Sequence, residues 1–165
     1  MCGWLIVEKL RAGHATTLGA ASGAVAGLVA ITPCAGFVGG FAPVIIGLIA
    51  GVVCYLALSL KTKFGFDDSL DVIAVHLVGG ILGAILLGFF ADTKVNSLGF
   101  DGIFFGGGAD LLIDQLVALG ATIVFSFVVT WIIAKAIDAT IGLRVNTEDE
   151  QVGLDQSQHA ESAYQ

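Results

Sequence analysis

A chain of 165 residues that is 56% hydrophobic and only 13% charged, with a mean hydropathy of +0.94, is excluded from the ordinary soluble domains of its size and reads as an all-α, polytopic membrane helix bundle. The net charge of −7, with no basic patch, argues against nucleic acid as a partner, and much of the acidic excess falls in one terminal tail. Cys2, Cys34 and Cys54 stand far apart in apolar or small-residue surroundings, without metal-ligand spacing or a disulfide pattern; they read as packing residues, and no cofactor is implied.

The opening MCGWLIVEKL is apolar but too short for a span, and it lacks the basic front end and small-residue cleavage site of a secretory signal. The expectation is the last turns of a helix whose beginning is missing, followed by a short polar loop, EKLRAGHATT. Residues 18–32 make the first complete span, closed by Thr32-Pro33 and a Gly-rich turn. Gly19, Gly23 and Gly27 repeat at four-residue spacing beside Ser22, which predicts one face trimmed for close helix contact. A phosphate-binding loop is the competing reading, but no Lys-Ser/Thr pair follows and the glycines sit in an apolar helix. Residues 41–60 form the second span, with Pro43 near its start, Gly47 and Gly51 four apart, and Lys61 and Lys63 at its end.

The third span organises the chain. Within DDSLDVIAVHLVGGILG (67–83), carboxylates open an apolar segment that carries one histidine, and residues 70–91 suffice to cross a hydrocarbon core of roughly 30 Å at about 1.5 Å per residue. Its ionisable groups are Asp71 and His76, and such groups inside a span are functional candidates by default. Helical spacing puts Val72 and His76 on one face that continues through Gly79, Gly80 and Gly83, so His76 is expected to point into a helix bundle. The alternative is a packing histidine whose ring nitrogens are satisfied by backbone. Asp71, one residue into the expected helix, suits a cap and a dipole partner as well as a direct role. After the polar loop DTKVNSLGFDGIFFGGGAD, the fourth span (111–141) exceeds the bilayer core and is expected to tilt, kink or project, with Trp131 and Lys135 as interfacial anchor and snorkelling lysine.

Alternating sides for successive spans gathers Lys9, Arg11, Lys61, Lys63, Lys135 and Arg144 on one face and leaves Lys94 on the other. The positive-inside rule makes the former cytoplasmic, and with it the C-terminus. The tail, residues 145–165, has five acidic residues, no Lys or Arg, and too little apolar content to fold alone; it is either a solvated end or a docking segment. The domain reading is a membrane region at 1–145 and a cytoplasmic tail at 146–165.

Three stretches carry a resemblance: LGAASGAVAGLVAITPCAGFV (18–38), DDSLDVIAVHLVGGILG (67–83), and GLRV (142–145) with GLDQSQHAESAY (153–164). From about Trp4 to its end the chain resembles the C-terminal part of the ammonium transporter (Amt/Mep/Rh) family, in its bacterial branch. The resemblance implies an eleven-span fold with inverted repeats and a long oblique last helix, of which this chain matches the end of the seventh span and the eighth to eleventh. It implies a homotrimer in the plasma (inner) membrane, and a pore in each protomer that deprotonates ammonium and conducts ammonia, with methylammonium as a possible second substrate. His76, in the D-V-x-x-V-H pattern, matches the second of two mid-pore histidines. Asp71 matches the carboxylate that opens the pattern, and Val25, Thr32 and Val72 match positions that line or flank the pore.

Gly142, Arg144, Asp155, His159, Glu161 and Tyr164 match a regulatory tail that helps couple the trimer to a PII-type signal protein. The first pore histidine, the outer aromatic gate and the external ammonium site belong to spans this sequence does not match, and neither His14, in a loop, nor His159, in the tail, replaces that histidine. The expectation is therefore a truncated or split transporter that does not conduct alone. A regulatory or interaction fragment that needs the tail but not His76 is the alternative. An intramembrane enzyme or metal site built from Asp67, Asp68, Asp71 and His76 lacks a completing cluster or nucleophile.

Overall fold

In the computed structural model, which describes residues 1–162, every regular element is helical and no strand occurs among the described residues. Helix α1 (Cys2–Ala12) stops at Gly13, whose φ of 81° lies in the left-handed region that a glycine after a helix adopts without strain. Helix α2 (Thr17–Ile31) passes into one 3-10 turn, Thr32–Cys34, because Pro33 has no N–H with which to continue the α-helical ladder. Helix α3 (Ala42–Ala57) carries Pro43 in its first turn, where amide groups have no intrahelical partner anyway, and α4 (Ser59–Phe64) follows directly.

The third apolar run divides into a π-helical segment (Ile73–Val78) and α5 (Gly79–Phe90). A loop with a 3-10 turn at Ile103–Phe105 leads to α6 (Asp110–Thr140), whose 31 residues make it about 46 Å long at about 1.5 Å per residue. Short helices α7 (Thr147–Val152) and α8 (Leu154–Ser157) complete the described chain. Four stretches are long and apolar enough to cross a membrane, Thr17–Cys34, Ala42–Phe64, Ile73–Phe90 and Asp110–Thr140. The chain is a multi-pass membrane protein.

Two compact units divide it, Met1–Gly120 and Ala121–Gln165. In the first, α1, α2, α3 and α5 pack together around small side chains. One cluster gathers Ala30, Cys34, Ala42, Ile46, Ala50 and Leu87; the other gathers Trp4, Ala26, Cys54 and Val75, with the Trp4 ring edge-on to Tyr55 at 5.5 Å between centroids. Between helices already in lipid the hydrophobic effect offers little, so contact rests on close van der Waals packing, and small residues permit it. In the second unit, no residue of α6 from 121 onward is buried.

The glycine pattern is only partly used. A Cβ on Gly23 would meet the Trp4 side chain, and one on Gly51 would meet the Gly3–Trp4 backbone, so α1 lies against both α2 and α3 at these points. Gly27 and Gly47, at the same spacing, face open space. Spacing places residues on one side of a helix, but the crossing angle decides how much of that side the neighbour reaches.

The expected polar loop after the first segment begins later than its composition suggests. Glu8 lies within α1, buried, and accepts bonds from Thr16 N–H (3.1 Å) and Thr16 Oγ1 (2.8 Å), while Thr16 Oγ1 accepts from Gly19 N–H (2.8 Å) and caps α2. A charged residue stays in the helix there because its carboxylate is fully engaged. The tail is also more ordered than its acidity implies: Asn146 caps α7 by accepting from Asp149 N–H at 2.8 Å, and Ser157 Oγ donates to the Asp149 and Gly153 carbonyls.

Candidate functional site

The start of the third span is held by three polar side chains. Asp68 accepts from Val72 N–H (2.8 Å) through Oδ1 and from Ile73 N–H (2.9 Å) through Oδ2, satisfying two of the amides that a helix start leaves without partners. The capping role expected of Asp71 therefore belongs to Asp68. Asp71 stands outside the helix in the left-handed conformation, φ 57°, and its carboxylate accepts from Lys61 Nζ at 2.5 Å. The difference is one of reach: the carboxylate just ahead of the first turn can fold back onto its amides, while the one at the left-handed corner is turned towards α4.

From that corner the chain enters a π-helical turn. Bonding from i to i+5 inserts one extra residue into the helical count, which displaces everything upstream from everything downstream by about 100° of α-helical phase. The face expected to run from Val72 and His76 through Gly79, Gly80 and Gly83 is split by it, with Gly80 left half-exposed and facing open space. Val72 and His76 are exposed, whereas Gly79 and Gly83 are buried against α2, where a Cβ would meet Val29 and the Ala30 carbonyl respectively. Cys34 Sγ also donates to the Gly83 carbonyl at 3.3 Å, so α5 is tied to the turn after α2.

His76 thus projects from the helix surface, and its ring has no hydrogen-bond partner among the described residues. This disfavours the packing alternative, which needs both ring nitrogens satisfied internally. On α2, Val25 and Thr32 are likewise exposed and lie seven apart, on one stripe. Thr32 Oγ1 donates to the Leu28 carbonyl at 2.7 Å, which leaves the oxygen lone pairs free to accept another donor. Val25, Thr32, Val72 and His76 are thus all exposed, the first two on one stripe of α2 and the last two at the start of the third span. An imidazole brings a donor and an acceptor nitrogen in its neutral form.

The tail residues lie in the second unit. Gly142 ends α6 with φ 82°, its N–H donating to the Ile137 carbonyl at 3.1 Å. Arg144 is exposed, and Asp155 belongs to α8, with its carbonyl accepting from Glu161 N–H at 2.9 Å. His159 N–H donates to the Leu154 carbonyl at 3.3 Å, and both His159 and Glu161 expose their side chains. Tyr164 lies outside the described residues. Sequence reasoning did not single out Lys61 as a partner of Asp71, or Glu8 and Thr16 as a joined pair. A Lys some ten residues ahead of an acidic helix start is a signal, but a weak one, because its use depends on how the intervening loop folds.

Comparison with known proteins gives a consistent result. The model of the Ammonium Transporter Family matches residues 1–164. An ammonium transporter of Bacillus subtilis is 51% identical over 166 residues, covering 100% of this chain and 41% of the relative. The ammonium transporter Amt1 of Archaeoglobus fulgidus is 47% identical, covering 98% of this chain and 40% of the relative. The crystal structure of Saccharomyces cerevisiae Mep2 superposes with a TM-score of 0.81 at 35% identity, over 89% of this chain and 34% of that one. The chain spans about two-fifths of the length of these curated relatives.

Proposed function

Because this chain belongs to the ammonium transporter family, we propose that it supplies one wall of a pathway that carries ammonium or ammonia across a membrane, with His76 as the group that meets the permeating species. The observation that carries this reading is the exposed, internally unpartnered imidazole on a π-helical turn within an apolar span. Ionisable side chains at membrane depth face protein cavities or water rather than lipid, and π-turns recur at functional sites. Val25, Val72 and Thr32 extend the same wall, and Asp71 supports it from the membrane edge. A wall exposed on this scale needs a second protein surface to close a pore, so these residues by themselves do not conduct.

The finer reading follows the basic residues. Lys9, Arg11, Lys61, Lys63, Lys135 and Arg144 on one side, against Lys94 on the other, support a cytoplasmic Asp68 end of the third span, with the C-terminus on the same side of a plasma membrane. The working unit is a homotrimer, and the tail carrying Gly142, Arg144, Asp155, His159, Glu161 and Tyr164 docks a PII-type signal protein. Two short helices in the tail, the first capped by Asn146, support a docking role over a merely solvated end.

The test is methylammonium uptake in cells without their own ammonium transporters, with this chain expressed alone and with the N-terminal half of a relative supplied in trans. Uptake that needs both halves and disappears in His76→Ala is the expected result. Uptake indifferent to His76, or none from the pair while the chain is in the membrane, removes the transport reading. Signal-protein binding that survives His76→Ala but is lost on deletion of residues 152–165 would then favour a regulatory fragment.

A further inference from the structure

The single strained non-glycine corner in the membrane part of the described chain lies five residues before His76, and an ion pair sits on it. Asp71 is left-handed at φ 57°, a conformation that side-chain-bearing residues rarely adopt, although Asp and Asn tolerate it better than most. Its carboxylate binds Lys61 Nζ at 2.5 Å, and the same ammonium reaches the Asp68 carbonyl at 3.4 Å. Its own carbonyl accepts from Val75 N–H at 2.9 Å, inside the π-helical turn. Lys61 is delivered from α4, whose end is set by Gly65 at φ 69° and by Phe66 N–H donating to the Lys61 carbonyl at 3.0 Å.

We propose that Lys61 and Asp71 are a positioning pair that sets the helical register, and so the bearing, of His76. The inference rests on the reading of His76 as the group that meets the permeating species. A π-turn stores one residue of slack that an α-helix would expel. Downstream the slack has nowhere to go, because Gly79 and Gly83 lock α5 against α2 and Cys34 holds the Gly83 carbonyl. Upstream, the Asp68 carboxylate follows the first turn wherever it goes, since it caps amides of that turn. The pair from Lys61 reaches this corner from another helix.

Without that pair, Asp71 relaxes from the left-handed region and the turn expels its extra residue towards the loop. Residues 72–76 then rotate by about one residue's worth of phase, roughly 100°, relative to α5. Val75 leaves its place beside Trp4, Ala26 and Cys54, and the bearing of His76 changes with it. The ion pair, at the membrane edge and only partly buried, therefore acts through the register of the helix and not through contact with the permeating species.

The test compares the unaltered protein with Lys61→Met, Lys61→Arg and Asp71→Asn in lipid nanodiscs, reading amide hydrogen exchange along 70–90 and the ring signals of 15N-labelled histidine. Lys61→Met and Asp71→Asn should speed exchange in 74–78, beyond the two amides capped by Asp68, by about tenfold or more, the scale of a lost charge-assisted bond. They should also shift the His76 ring signals while leaving 79–90 protected. Lys61→Arg, which keeps the charge, should restore both. Unchanged exchange and an unchanged ring signal in Lys61→Met overturn the proposal. So does loss of protection spread evenly over 70–90, which would make the pair a general fold contact. These readouts do not need transport: no uptake from the unaltered chain paired with the N-terminal half of a relative would refute the function reading alone, and altered uptake by that pair with an unmoved His76 would refute the positioning pair alone.

Discussion

Glu8 and Thr16 close the turn between α1 and α2 by a double contact, with one carboxylate taking both the Thr16 amide, at 3.1 Å, and its hydroxyl, at 2.8 Å. Each partner leaves a stranded group if the other is removed. Glu8→Ala should destabilise the first unit by about 1 kcal/mol, the cost of stranding partly buried donors, and Glu8→Gln by less because one acceptor oxygen survives. Thermal unfolding in detergent measures this; equal midpoints for Glu8→Ala and the parent would show the turn is held by something else.

Glycines at matching intervals should respond in opposite ways. A side chain on Gly83 would strike the Ala30 carbonyl and one on Gly23 the Trp4 side chain, so Gly83→Val and Gly23→Val should cost about 1–3 kcal/mol or more by overpacking. Gly27→Ala and Gly47→Ala face open space inside helices and should be neutral or stabilising by about 0.5–1 kcal/mol. The comparison is again one of unfolding midpoints, and a common response from all four would contradict the packing described here.

Asp68 supplies both caps of the third span, to Val72 and Ile73. Asp68→Ala should therefore cost about 0.5–2 kcal/mol, and Asp68→Asn less, with faster exchange at those two amides. Asp71→Ala should leave these amides protected while disturbing the turn beyond them. An Asp71→Ala variant with the same exposed amides as Asp68→Ala would return the cap to Asp71.

In the tail, Asn146 Oδ1 accepts from Asp149 N–H at 2.8 Å, and α7 has only six residues over which to spread the loss of that cap. Asn146→Ala should unfold α7 at a cost of about 1 kcal/mol, and Asn146→Ser or Asn146→Asp should preserve it. If the tail docks a signal protein as a folded element, binding measured by co-purification should weaken with Asn146→Ala and return with Asn146→Asp. Binding unaffected by all three would separate docking from this helix.

Much of the architecture was legible from composition and punctuation. Four apolar stretches, Pro33 and Pro43 at their permitted places, and glycines after α1, α4 and α6 follow from backbone geometry and the length of a bilayer crossing, which depend on local sequence alone. His76 stood out for the same reason, since an ionisable group in an apolar run is costly wherever that run is placed.

What the three-dimensional packing decided was phase and partnership. Periodicity assigns a face only while a helix keeps 3.6 residues per turn, and the π-turn at Ile73–Val78 set His76 apart from Gly79 and Gly83. The choice of Asp68 over Asp71 as the cap, and the capture of Asp71 by Lys61, turned on how the loop between α4 and the third span folds back. That path is a property of two helices meeting in space, and no count of residues along one of them contains it.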